Sequence, residues 1–222
     1  MPNRRLPKIA PGQLGDRVLA SLREAILDGV FAAGERLIET SLAEQMSVSR
    51  GPVRDALRML AAEGIVKLHP YRGASVAVLT PEDIIEILDL RVVLEGYAAR
   101  RVAELATQEE IDHLRSIFDK MHELARQGEL GALVKNDIAF HEEICRLSRN
   151  SRWLQVWHLF APQIEMFLNL SDRVYMDAEL IARMHTDEME AIEARDPERA
   201  EAAAQAALRE TAQTIVARMA EI

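Results

Sequence analysis

Val48-Ser49-Arg50-Gly51-Pro52-Val53-Arg54-Asp55-Ala56-Leu57-Arg58 carries two superimposed helical patterns. Val53, Ala56, Leu57 and then Leu60 recur at the spacing of one helix face, which predicts a helix over Arg50 to Glu63 with Gly64 as its left-handed C-cap. Arg50, Arg54 and Arg58 stand four residues apart in a second stripe beside the apolar one. Arginine bonds O6 and N7 of guanine bidentately or clamps phosphates, and a helix N-terminus adds backbone donors for phosphate. Three arginines alone also fit a solvated basic face, so their neighbours decide.

Immediately upstream, Ser47-Val48-Ser49 reads as a tight turn, and Ser41 with Glu44 as a capping box for a short helix carrying Leu42, Ala43 and Met46. Ala43 is small where two helices would cross, and Val48 plugs the turn. Further out, Leu14, Val18, Leu22, Ala25 and Ile26 predict a first helix over Gln13 to Asp28, ended by Gly29. On the other side, Ile65 to Leu68 and Ala74 to Val78 are β-prone and joined by His69-Pro70-Tyr71-Arg72-Gly73, a two-stranded wing. The whole predicts a winged helix-turn-helix whose second helix enters the major groove of double-stranded DNA.

Beyond Thr80-Pro81-Glu82-Asp83, a helix start, the pattern is helical throughout, over about 81–105, 107–127, 131–148, 152–171, 175–194 and 197–220. The fold class is therefore mainly α: a flexible basic tail (1–11, with Arg4, Arg5 and Lys8), a winged helix (12–79) and an all-helical antiparallel bundle (80–222). Charge divides the same way. The net charge is −9, yet Met1 to Leu79 holds eleven Lys/Arg against eight Asp/Glu, or +3, which leaves −12 for the rest. A basic module on an acidic one suits a DNA binder with a separate sensing domain. No apolar run is long enough to span a bilayer and the N-terminus lacks a signal-peptide core, so a soluble, cytoplasmic protein is expected, with no membrane partner. The single cysteine, Cys145, reads as a small core residue.

The bundle carries polar residues inside apolar stripes. Arg91 lies with Ile84, Ile87, Leu88 and Glu95 on one face. It either pairs with Glu95 one turn away, meets a dimer partner, or clamps the carboxylate of a ligand. Asp137 and His141 fall in the stripe of Leu130, Val134, Ile138 and Cys145, and His185 in that of Ile181, Met184, Met189 and Ile192. Burying an aspartate beside an imidazole is costly unless they satisfy each other or hold a cation. His69, His113, His122 and His158 have no partner at ligand spacing and read as structural or exposed.

The segment from Val48 to Arg58, followed by Leu60, Glu63-Gly64-Ile65-Val66 and Arg72-Gly73-Ala74-Ser75-Val76, resembles the winged helix of the GntR family of bacterial regulators. The resemblance implies that Ser49, Arg50 and Arg54 read or clamp the operator, that Arg58 supports them, and that Arg72-Gly73 approaches the minor groove. Gly51 departs from the hydroxyl residue usual there. Leu90-Arg91-Val92-Val93-Leu94-Glu95, the pair Asp137 and His141, and His185 followed by Ala191-Ile192 and Arg195-Asp196-Pro197 resemble the FCD ligand-binding domain of the FadR-type subfamily. That resemblance implies zinc or nickel held by Asp137, His141 and His185, with Ala207 where a third histidine would stand.

The expected function is a homodimeric, effector-controlled transcription regulator and not an enzyme. A small organic acid held by Arg91, Asp137, His141 and His185 would control operator binding. Two alternatives stand beside it: a metal-dependent enzyme on the bundle, which lacks a nucleophile motif or phosphate loop, and an architectural DNA binder without effector, against which the buried polar groups argue.

Overall fold

The computed structural model describes residues 13–170 and 178–219. Its N-terminal part runs α1 (Gln13–Leu27), β1 (Arg36–Leu37), α2 (Glu39–Gln45), α3 (Arg50–Ala62), β2 (Val66–His69) and β3 (Gly73–Val76). Val18, Leu22 and Ile26 of α1 and Val53, Leu57 and Leu60 of α3 are buried in one core, the apolar stripes of both helices turned together. Each such side chain contributes roughly 1.5–3 kcal/mol by leaving water. Gly64 follows α3 at φ +78°, the left-handed conformation that costs glycine least.

The sheet has three strands, not the two expected of the wing. Arg36 and Leu37 pair antiparallel with Ser75 and Ala74, giving the order β1-β3-β2. Two residues are too few for an alternating pattern to register in sequence. The short helix also begins earlier than its expected cap. Ile38 is the N-cap of α2 and no side chain caps it, because β1 ends at Leu37 and the chain turns straight into the helix. Ser41 therefore falls inside α2, where its Oγ accepts from Gln45 Nε2 at 3.1 Å.

The bundle comprises α4 (Pro81–Leu105), α5 (Gln108–Gln127), α6 (Leu130–Leu147), α7 (Ser151–Leu170), α8 (Ala178–Met184), α9 (Thr186–Glu193) and α10 (Pro197–Met219). Reciprocal capping boxes, Thr80 with Asp83 and Thr107 with Glu110, open α4 and α5. Helix α6 starts at Leu130, so that Gly131 lies in its first turn, and Gly128 ends α5. Helices α4 and α10 pack along each other through small residues, Ala98, Ala99 and Ala103 against Ala200 and Ala204.

The single helix expected over 175–194 is broken at His185. There the imidazole Nδ1 donates to the Ile181 carbonyl at 2.7 Å. The continuous apolar stripe on either side hides this local competition between side chain and backbone. Residues 175–177, the tail with Arg4, Arg5 and Lys8, and the expected helix ends at 171 and 220 lie outside the described residues. Cys145 is buried and unpaired by disulfide. Among the described residues no helix is long and apolar enough to cross a membrane.

Candidate functional site

Two regions collect the residues singled out in the sequence. The first is the outer face of α3. Ser49 is its N-cap, with an extended backbone and no side-chain cap bond, so its hydroxyl is uncommitted to the helix end. Arg50, Arg54 and Arg58 are all exposed along this face. Arg54 lays its guanidinium on Glu39 of α2, with Nη2 at 2.9 Å and Nε at 3.0 Å from Oε2. Arg58 stands 3.6 Å from Asp55. Exposed pairs of this kind contribute little, so both guanidiniums stay available to an external acceptor. At the wing tip Gly73 has φ +84°, and Arg72 is exposed beside it. Tyr71 at the same tip is fully exposed. Glu39 carries no mark of its pairing with Arg54 in the sequence, since an acid on a short helix reads as solvent-facing.

The second region lies inside the bundle, where helix positions far apart in sequence converge. Helix α4 brings Arg91 and Glu95, α6 brings Asp137 and His141, and the α8–α9 break brings His185. All five are buried. Arg91 is engaged with Glu95 one turn on, through Nε to Oε1 and through Nη2 to Oε2 at 3.2 Å, and its guanidinium lies 5.1 Å over the Trp157 ring. Its fork is thus filled from within the chain. Burial alone would raise Glu95, but the charge of Arg91 and the hydrogen bonds from His141 and Arg91 outweigh it and hold the carboxyl at about 2.

The histidines are oriented from behind. His141 Nδ1 is 2.7 Å from Glu95 Oε2, and His185 Nδ1 is 2.7 Å from the Ile181 carbonyl. Both partners accept, so both Nδ1 atoms carry hydrogen and both Nε2 atoms point into the site, 3.0 Å apart. Asp137 Oδ1 completes the group, 3.1 Å from His185 Nε2 and 3.7 Å from His141 Nε2. Two imidazole lone pairs facing each other so closely need a positive charge between them. A proton is one answer. Burial pushes both imidazoles down, but on His185 the hydrogen bond and charge of Asp137 prevail and raise it, while His141 stays lowered. A divalent cation is the other. One ligand atom from each of Asp137, His141 and His185 lies within 4.8 Å of the others, and carboxylate plus neutral imidazole suits zinc or nickel. Acceptors on the outer nitrogens are the second shell such sites use to fix the tautomer. The donor set fits a metal.

These groups line a cavity of about 50 Å³, otherwise walled by Ile84, Leu88, Ile164 and Phe167. Ala207 is also on its wall, where a methyl group offers no ligand atom. Glu188 of α9, unforeseen in the sequence, lines it too. Burial pushes its carboxyl up to about 8.

Helix α7 joins the two regions. Ile164, Phe167 and Leu168 line the cavity, while Met166 is buried in the winged-helix core. Asn169 Nδ2 donates to the Leu27 carbonyl at 3.0 Å, and a Cβ on Gly64 would stand 2.6 Å from the Gln163 amide. Lys135 of α6 adds an ion pair to Asp28 at 3.0 Å.

Comparison with known proteins follows this division. Residues 14–76 match the bacterial regulatory proteins of the gntR family, and residues 86–210 match the FCD domain. The gluconate operon transcriptional repressor of Bacillus licheniformis is 35% identical over 187 residues, 82% of this chain and 76% of that protein. The probable D-xylose utilization operon transcriptional repressor of Paenarthrobacter nicotinovorans is 31% identical, over 79% of this chain and 77% of its own. Among solved structures, a putative transcriptional regulator GntR from Rhodococcus sp. RHA1 superposes with a TM-score of 0.77 at 26% identity, covering 93% of this chain and 99% of the other.

Proposed function

Because the chain belongs to the gntR family of bacterial regulatory proteins and carries an FCD domain behind its winged helix, we propose that it is a FadR-type regulator, a homodimer whose operator binding is controlled by a small organic acid in the bundle. Its relatives are transcriptional regulators and not enzymes. In this reading Arg50 and Arg54 enter the major groove from α3, with Ser49 and Arg58 on flanking phosphates and Arg72-Gly73 at the minor groove. The observation that supports effector control is the buried trio Asp137, His141 and His185 beside a cavity that α7 shares with the winged-helix core.

Asp137, His141 and His185 would hold Zn²⁺ or Ni²⁺, and a bound cation would supply a Lewis-acid anchor for a carboxylate. Arg91, already paired with Glu95, contributes positive potential at the cavity wall. About 50 Å³ holds an ion and a water or two, so an acid beyond a few atoms displaces a wall side chain, and the flexible thioether of Met184 is suited to give way. The ligand acts on DNA binding only to the extent that it favours one arrangement of the two winged helices over the other.

The test is direct. Sequences that bind the full chain are selected from random duplex DNA, and melting is followed with Zn²⁺ or Ni²⁺ and then with glycolate, lactate and D-gluconate. D-Gluconate is included because a close relative is named for the gluconate operon. The proposal expects a palindromic site, a melting temperature raised by the cation, and no such rise in His141→Ala. Selection of no preferred sequence would dispose of the regulator reading, and no cation effect on the wild type would dispose of the metal.

A further inference from the structure

Glu188 is 2% exposed, and its Oε1 has no hydrogen-bond partner among the described residues. Leaving a carboxyl oxygen buried and unpaired is unfavourable, and such groups are found where a ligand, an ion or a proton completes them. Glu188 lies in the first turn of α9, three residues after its N-cap His185. It lines the same cavity as Asp137, His141 and His185, and Ala207 on that cavity's wall supplies nothing.

We infer that Glu188 holds the solvent ligand of the cation site, its Oε1 accepting from a water in the position that Asp137, His141 and His185 leave open. The inference rests on the cation reading of the trio. Three protein ligands leave a zinc-like ion at least one position short of its usual four, and Glu188 is among the residues that line that space.

The experiment is a calorimetric titration of the full chain, stripped with chelator, by Zn²⁺, for wild type, Glu188→Gln and Glu188→Gln combined with Ala207→His. The cobalt(II) form of each is recorded by visible absorption. One cation per chain is expected in the wild type. Glu188→Gln should weaken it by about tenfold or more, as loss of supporting metal contacts commonly does, and should change the cobalt spectrum, while the double variant recovers affinity. Should Glu188→Gln fail to fold, Glu188→Leu removes the carboxyl with similar bulk and carries the same expectation. Equal affinities and identical cobalt spectra in wild type and variant would overturn the role of Glu188 and leave the trio's cation site standing. A wild type that binds no divalent cation would overturn both.

Discussion

Arg54 rests on Glu39, fifteen residues away, and the pair stands at the surface of the α2–α3 crossing. The arrangement aims the guanidinium without burying it. Arg54→Ala should therefore leave the fold intact, with a stability change within about 0.5 kcal/mol as for most surface substitutions. It should weaken selected DNA by about 1–3 kcal/mol, the worth of one bidentate base contact. A gel shift at fixed salt checks this, and unchanged affinity would remove Arg54 from the contact set. The arginine stripe was legible because a period of four needs only the sequence. Glu39 was not, because its partner arrives through a tertiary crossing. The same divide separates the bundle residues: Asp137, His141 and His185 stand out as polar groups inside apolar stripes, whereas Glu188, next to Asp187 and two residues before Glu190, reads as one more exposed acid.

Among the elements, α7 occupies a place that periodicity alone did not assign. Its apolar content exceeds what one face needs, because it serves the cavity with Phe167 and the winged-helix core with Met166. Met166 is 1% exposed, so Met166→Ala should cost about 2–5 kcal/mol, the range for emptying a core site of this size. The loss should fall on the union of the two parts. Scanning calorimetry is expected to show the winged helix melting ahead of the bundle in Met166→Ala, against one joint transition in the wild type. A uniform fall of a single transition would mean that α7 is merely packed there. Helix positions were otherwise readable from apolar spacing and caps, with Thr80 and Thr107 as the clearest marks. The departures were all local: β1 is too short to show a pattern, and His185 breaks a stripe that stays apolar on both sides.

Across the whole chain, the winged helix and the acidic bundle meet through α7 and the Lys135–Asp28 pair. A second copy is needed for two half-sites, since one helix-turn-helix reads only half of a palindrome. Leu90, Val93 and Tyr97 on α4 are exposed at helical spacing on the side away from the cavity-lining Arg91 and Glu95, an apolar stripe suited to that copy. Val93, 67% exposed, is its centre. Sedimentation of the full chain should give twice the 24.9 kDa protomer mass, and Val93→Glu should give the protomer with weaker operator binding, because the second contact loses its effective concentration. A Val93→Glu protein that remains dimeric would place the interface elsewhere. Fluorescence anisotropy on a selected operator shows whether the buried trio governs DNA binding. Wild type and His141→Ala are titrated in chelator, in Zn²⁺, and in Zn²⁺ with glycolate or D-gluconate. The prediction is a wild-type affinity that differs by about fivefold or more between these states, as coupled sites typically show, and a His141→Ala affinity that does not respond. A wild-type dissociation constant that is the same in every condition would contradict it.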